Sequence, residues 1–147
     1  MSTPDAPSAE LEALFQDVIL DHYRRPHNKG VLPDATARGS VVNPTCGDEI
    51  AVEVVLDGDV VRVAQFTGRG CSISQASASM MTIAATGRTR AELRAATAAF
   101  DAMLRGEGTN DGVNQLGELR ALGAVARYPA RVPCATMPWR ALAIALR

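Results

Sequence analysis

The chain has 147 residues, fifteen of them basic and sixteen acidic, for a formal net charge of −1. That balance supplies no basic field for nucleic acid, and no apolar run reaches the length of a membrane span, so neither partner is expected. Nearly half of the residues are apolar (47%), much of that alanine, and the length suits one domain with a closely packed core.

The first residues, Ser2-Thr3-Pro4-Asp5-Ala6-Pro7, lack the positive and apolar regions of a secretory signal. Residues 1–8 are therefore expected to be a disordered tail, residues 9–147 one domain, and the location cytoplasmic. Ser8 is a candidate helix cap, and Leu11, Leu14, Phe15, Val18, Ile19 and His22 follow at helical spacing until Pro26 stops the pattern. The spacing predicts a helix over about residues 9–24. A loop rich in turn formers and positive charge follows, Arg25-Pro26-His27-Asn28-Lys29-Gly30.

Gly39 to Asn43 reads as a short strand, and Glu49 to Leu56 as a longer one that is half-buried by its alternation. Asp57-Gly58-Asp59 is a hairpin turn, with Val60 to Thr67 returning as a third strand. After Cys71 the pattern turns helical: Ile73, Ala76, Met80, Ile83 and Ala84 mark one face, and Gly87 ends it. Thr89-Arg90-Ala91-Glu92 is a capping box that opens a helix carrying Leu93, Ala96, Phe100, Met103 and Leu104. Gly106 to Gly112 reads as an exposed loop, Leu116 to Leu122 as a short helix ending at Gly123, and Trp139, Leu142, Ala143 and Leu146 as a last helix. The fold class is α+β, a three-stranded antiparallel sheet with helices packed on one face.

Three cysteines, an odd number with no export signal, argue against a disulfide framework. Taken singly, each is more often a buried small hydrophobe than a ligand. Their positions weigh the other way, because each follows Gly or Pro closely at an element boundary. Asn43-Pro44-Thr45-Cys46-Gly47-Asp48 sets a thiol and a carboxylate two residues apart on one tight loop, with Pro44 holding Asn43 extended and Gly47 letting the chain bend. Cys71 follows Thr67-Gly68-Arg69-Gly70, and Cys134 follows Ala130-Arg131-Val132-Pro133, each at the start of a helix. Three thiols and one carboxylate could converge as a tetrahedral site, for which zinc is the best-suited ion. Around Zn²⁺ they would carry a net charge of about −2, which Arg131 could offset; as bare sequence Arg131 is equally an ordinary surface residue. Gly68 to Ser72 could instead bind an anion through backbone N–H groups, although a plain strand-to-helix turn needs the same glycines. His22 falls on the apolar face of the first helix and reads as a hydrogen-bonded core or boundary histidine, while His27 reads as solvated.

Taken together these motifs resemble the IscU/SufU iron–sulfur cluster assembly family. The resemblance rests on Asn43 to Asp48, on Gly68-Arg69-Gly70-Cys71-Ser72-Ile73-Ser74 with Ala76 to Met81, on Cys134-Ala135-Thr136 with Trp139, and on the loop Asp21 to Gly30. It runs from about Leu11 to Leu146 and is closer to the SufU branch. The stretch from about Gly106 to Tyr128 is similar to SufU proteins, and Arg131 matches an arginine that they hold near their metal. Pro133 stands where the IscU branch has a histidine, and Ala130-Arg131-Val132-Pro133 does not match that branch's chaperone-docking motif. The resemblance implies a zinc-dependent sulfurtransferase partnered with a SufS-type, pyridoxal-phosphate cysteine desulfurase and with downstream SUF cluster-assembly proteins. Zinc would be held by Cys46, Asp48, Cys71 and Cys134. Cys46 would accept persulfide sulfur once a partner histidine takes its place on the metal, with Arg131 tuning the site. A scaffold that assembles a [2Fe–2S] cluster transiently on the same cysteines is the alternative, and a plain structural zinc domain a third.

Overall fold

Alternation makes the sheet one-sided: Ile50, Val52 and Val54 turn inward from one strand, and Val61, Ala64 and Phe66 from its neighbour, all almost fully buried. The computed structural model describes residues 9–44 and 47–147. Helix α1 (Ala9–Arg24) leads to strands β1 (Ala37–Val42), β2 (Glu49–Asp57) and β3 (Val60–Arg69), which pair antiparallel in the order β1-β2-β3. Helices α2 (Ser72–Ala85), α3 (Arg90–Leu104), α4 (Asn110–Asn114) and α5 (Val132–Ala145) follow, with two 3-10 segments, Gly117–Arg127 and Pro129–Arg131, between α4 and α5. No helix among the described residues is long and apolar enough to cross a membrane. The expected tail over residues 1–8 lies outside the described residues, as do Thr45 and Cys46.

The strands run further than their composition indicates. Ala37 pairs with Val54, so β1 begins two residues before Gly39, and β3 continues to Arg69 because Gly68 still pairs with Ile50. A bulge between Val55 and Leu56 leaves Arg62 as an extra residue on β3. The extra residue shifts the alternation, so Val61 and Ala64 both reach the core. The outer edge of β3 is covered at two places. Gly30 N–H donates to Phe66 O at 2.8 Å and Phe66 N–H to Asn28 O at 3.0 Å, while Val61 N–H donates to Arg88 O at 2.9 Å. Helix α5 lies across β1 and β2, close enough that a side chain at Gly39 would collide with the Ala141 carbonyl.

Helix α2 is the element that the others surround. From Ser74 to Thr82 every residue is buried, five of them polar: Ser74, Gln75, Ser77, Ser79 and Thr82. Most of those groups find partners on neighbouring segments, as buried polar atoms must. His22 Nδ1 and the His27 N–H share the Ser79 hydroxyl at 2.7 and 2.8 Å. Lys29 Nζ donates to Gln75 Oε1 at 2.9 Å, and the Ser77 hydroxyl donates to Ala135 O of α5 at 2.6 Å. The chain after α3 is more regular than a loop. Thr109 caps the single turn of α4, and Leu116, Leu119, Leu122 and Val125 then bury one face of a 3-10 segment that runs past Gly123 to Arg127. Three residues per turn eclipses every third side chain, which suits that spacing.

Candidate metal centre

Three elements end at one point. Asp48 precedes β2, Cys71 is the N-cap of α2, and Cys134 is the third residue of α5. One ligand atom from each lies within 4.8 Å of the other two. Asp48 and Cys134 are buried and Cys71 is half-buried, with both thiols free of disulfide.

Backbone geometry makes the convergence. Asn43 N–H donates to Asp48 O and Gly47 N–H to Asn43 O, each at 2.8 Å, so the β1–β2 loop is closed at its base. Asp48 is thereby turned toward the start of α2, where its Oδ2 accepts the Cys71 N–H at 3.4 Å. Gly70 makes room for this. A methyl group there would collide with the Ser74 hydroxyl and come within 3.0 Å of Asp48 Oδ2. Gly68, at φ 132°, has the conformation that favours glycine, and a side chain on it would meet the Glu49 carbonyl. On the other side Pro133 occupies the first turn of α5, where its missing N–H costs nothing. Pro138 withholds the N–H that would return to Cys134 O, and the Ser77 bond to Ala135 O ties the same turn to α2.

The electrostatics call for a cation. A buried carboxylate and two thiols crowd together, and none of the ion pairs between described residues reaches Asp48. The N-terminal ends of α2 and α5, positive through their aligned peptide dipoles, favour anionic ligands there. Zinc–thiolate bonds of about 2.3 Å place tetrahedral ligand atoms about 3.8 Å apart, so the observed spacing and the S, S, O donor set fit zinc. Asp48, Cys71 and Cys134 would supply three of its four positions.

Of the residues singled out from sequence, these three come together, Cys46 lies outside the described residues, and Arg131 is exposed at the entrance to α5. His22 does not join them. It is 3% exposed, holds Ser79 through Nδ1 and Glu118 Oε2 through Nε2 at 2.8 Å, and so sits two turns along α2 from Cys71. At the α2 start the Cys71 N–H goes to the Asp48 carboxylate of this chain. Ser74 is the site residue that sequence reasoning passed over, and Gly70 was read there only as part of an anion loop or a strand-to-helix turn. The Gly-x-Gly-Cys-x-x-Ser spacing was the available sign, because residues three apart share a helix face.

A three-stranded sheet whose loop and two helix starts present thiols and a carboxylate defines a small domain with a thiol-rich site that could hold a metal ion. A model of the protein family described as "NifU-like N terminal domain" matches residues 14–135. The chain belongs to that family, the iron–sulfur cluster assembly group that includes SufU and IscU. It is 46% identical over 135 residues to "Zinc-dependent sulfurtransferase SufU" of Bacillus subtilis, covering 92% of this chain and 90% of that one. It is 40% identical over 139 residues to "Iron-sulfur cluster assembly scaffold protein IscU" of Streptococcus pyogenes, covering 95% and 86%. A solved NifU-like N-terminal structure from Brucella abortus superposes with a TM-score of 0.82 at 25% identity, covering 95% of this chain and 96% of that one.

Proposed function

We propose that this chain is a zinc-dependent sulfurtransferase of the SufU type, taking persulfide sulfur from a SufS-type cysteine desulfurase and passing it to SUF cluster-assembly proteins in the cytoplasm. The observation that carries the reading is the cluster of buried Asp48 and Cys134 with half-buried Cys71, ligand atoms within 4.8 Å of one another. Cys46 stands two residues before Asp48 and is the fourth ligand. Zinc held by Cys46, Asp48, Cys71 and Cys134 would keep the thiols deprotonated yet masked, and Cys46 would take up sulfur once released. The Cys46 thiolate then attacks the terminal sulfur of the desulfurase persulfide. A new S–S bond forms on this chain, the partner's S–S bond breaks, and the partner leaves as thiolate with no net oxidation. Cys71 and Cys134 stand at helix starts, whereas in the sequence Cys46 lies between Pro44 and Gly47 with no helix start to hold it, so it is the cysteine assigned to leave and return. Arg131, three residues before Cys134, is the countercharge, and Arg131→Ala is expected to keep zinc while slowing transfer.

The alternative is a scaffold that builds a [2Fe–2S] cluster on the three cysteines, as the name of the Streptococcus relative describes. A carboxylate ligand suits zinc, and the SufU relative is the more similar of the two. Mass spectrometry after incubation with desulfurase and cysteine separates the readings. One added sulfur atom on Cys46, lost in Cys46→Ser, is expected. Sulfur mapped to Cys71 or Cys134 in the unaltered protein would overturn the assignment of roles.

A further inference from the structure

Beside Cys71 lies a hydroxyl that the reaction above leaves unused. Ser74 is fully buried, one turn into α2 on the side that faces the cluster. Its Oγ donates to the Cys71 carbonyl at 3.0 Å and lies 3.9 Å from Cys71 Sγ, in the arrangement where the thiol is the donor. The absence of a side chain at Gly70 is what lets this hydroxyl and the Asp48 carboxylate flank Cys71 together.

A serine hydroxyl has one proton and two acceptor lone pairs. While Cys71 is a thiol, its S–H can point at Ser74 Oγ and the Ser74 proton can go to the carbonyl. A metal-bound cysteine has lost its proton and can only accept, so the Ser74 proton is then the single one between the two groups. Hydrogen bonds to ionised acceptors are about twice as strong as neutral ones. We propose that Ser74 is a positioning residue which, when Cys71 is a thiolate, turns its O–H from the Cys71 carbonyl to Cys71 Sγ. The bond withdraws charge from that sulfur and keeps Cys71 a resident ligand instead of a second sulfur acceptor. The inference rests on the metal-centre reading and adds to it a reason why one helix-borne cysteine stays unreactive. The hydroxyl must rotate about its C–O bond, and the 3.9 Å contact to sulfur must shorten as the bond forms.

The test uses the full chain loaded with zinc or, for spectroscopy, with cobalt(II) or ¹¹³Cd. Two variants are compared with the unaltered protein: Ser74→Ala, and Ser79→Ala, which removes a buried α2 hydroxyl remote from the thiols. In Ser74→Ala the thiolate-to-cobalt charge-transfer band is expected to move to longer wavelength. Iodoacetamide should alkylate Cys71 of the zinc protein several-fold faster relative to Cys134. Ser79→Ala, whose loss is structural, should move neither the band nor the ratio. An unchanged band and ratio in Ser74→Ala would overturn the inference while leaving the metal centre intact. Cobalt uptake by the unaltered protein without any thiolate charge-transfer band would overturn both. Where Ser74→Ala fails to fold, the ¹¹³Cd-loaded unaltered protein decides. A Ser74 hydroxyl proton coupled to cadmium through Cys71 sulfur supports the assignment, and a hydroxyl proton without that coupling refutes it.

Discussion

Helices α2 and α3 begin in opposite ways. Helix α3 carries its own cap: the Thr89 side chain accepts the Glu92 N–H, and Glu92 returns a bond to Thr89 N–H, a reciprocal box that closes the helix start from within. Its polar face is exposed, and only Leu93, Phe100, Met103 and Leu104 are buried. Helix α2 has Cys71 as N-cap with no side-chain cap bond, no acidic residue in its first turn, and an unbroken buried run from Ser74 to Thr82. Its first N–H is met by Asp48 from another element. A helix start completed by its own sequence is finished structurally. One completed by a distant carboxylate and topped by a thiol is a start kept open for a ligand.

Variants at the two starts sharpen that contrast. The largest effect is expected for Cys71→Ala or Cys134→Ala, which should reduce zinc from about one per chain to well below stoichiometry. The accompanying loss of stability is about 4 kcal/mol at a metal concentration roughly a thousand times Kd. Metal analysis with thermal melts in zinc and in chelator reads both, and full zinc with unchanged melting would erase the distinction between the helices.

Gly70→Ala comes next. The added methyl pushes against Ser74 and Asp48, so zinc affinity should fall about 10- to 100-fold, measured by chelator competition, while the far-ultraviolet spectrum is retained.

The smallest effects belong to α3. Thr89→Ala should cost about 1 kcal/mol and leave zinc affinity alone. Hydrogen bonds from the Thr89 backbone, then from its side chain, hold the Glu92 carboxyl below its ordinary pKa. A depressed acid stabilises the fold above its unfolded pKa and loses that contribution as pH falls through the folded value. Glu92→Gln should therefore flatten the acid limb of a melting profile, with no change in the zinc-dependent part.

Local pattern is legible wherever it is enough to set structure. The α1 range, the hairpin at Gly58, the α3 capping box and the strand–helix switch at Cys71 are all readable from periodicity and turn chemistry. Asp48, Cys71 and Cys134 are readable as a set because each follows a glycine or proline at an element boundary. The misses are non-local. The start of β1 and the end of β3 are fixed by pairing with β2, and Gly68 reads as a strand breaker until its partner Ile50 is known. The buried serines of α2 look like a solvated face until His22, His27 and Ala135 arrive from elsewhere in the chain. The spacing of three across Leu116, Leu119 and Leu122 is visible in the sequence, but it suits an α-helix equally, and a long 3-10 run is the uncommon outcome.

The central claim is that Asp48, Cys71 and Cys134 complete a zinc centre with Cys46. X-ray absorption at the zinc edge of the purified protein tests it most directly. Three sulfur ligands at about 2.3 Å and one oxygen at about 2.0 Å are expected, with one sulfur lost in Cys46→Ser. A zinc shell without sulfur, or one that Cys46→Ser leaves unchanged, would contradict the account.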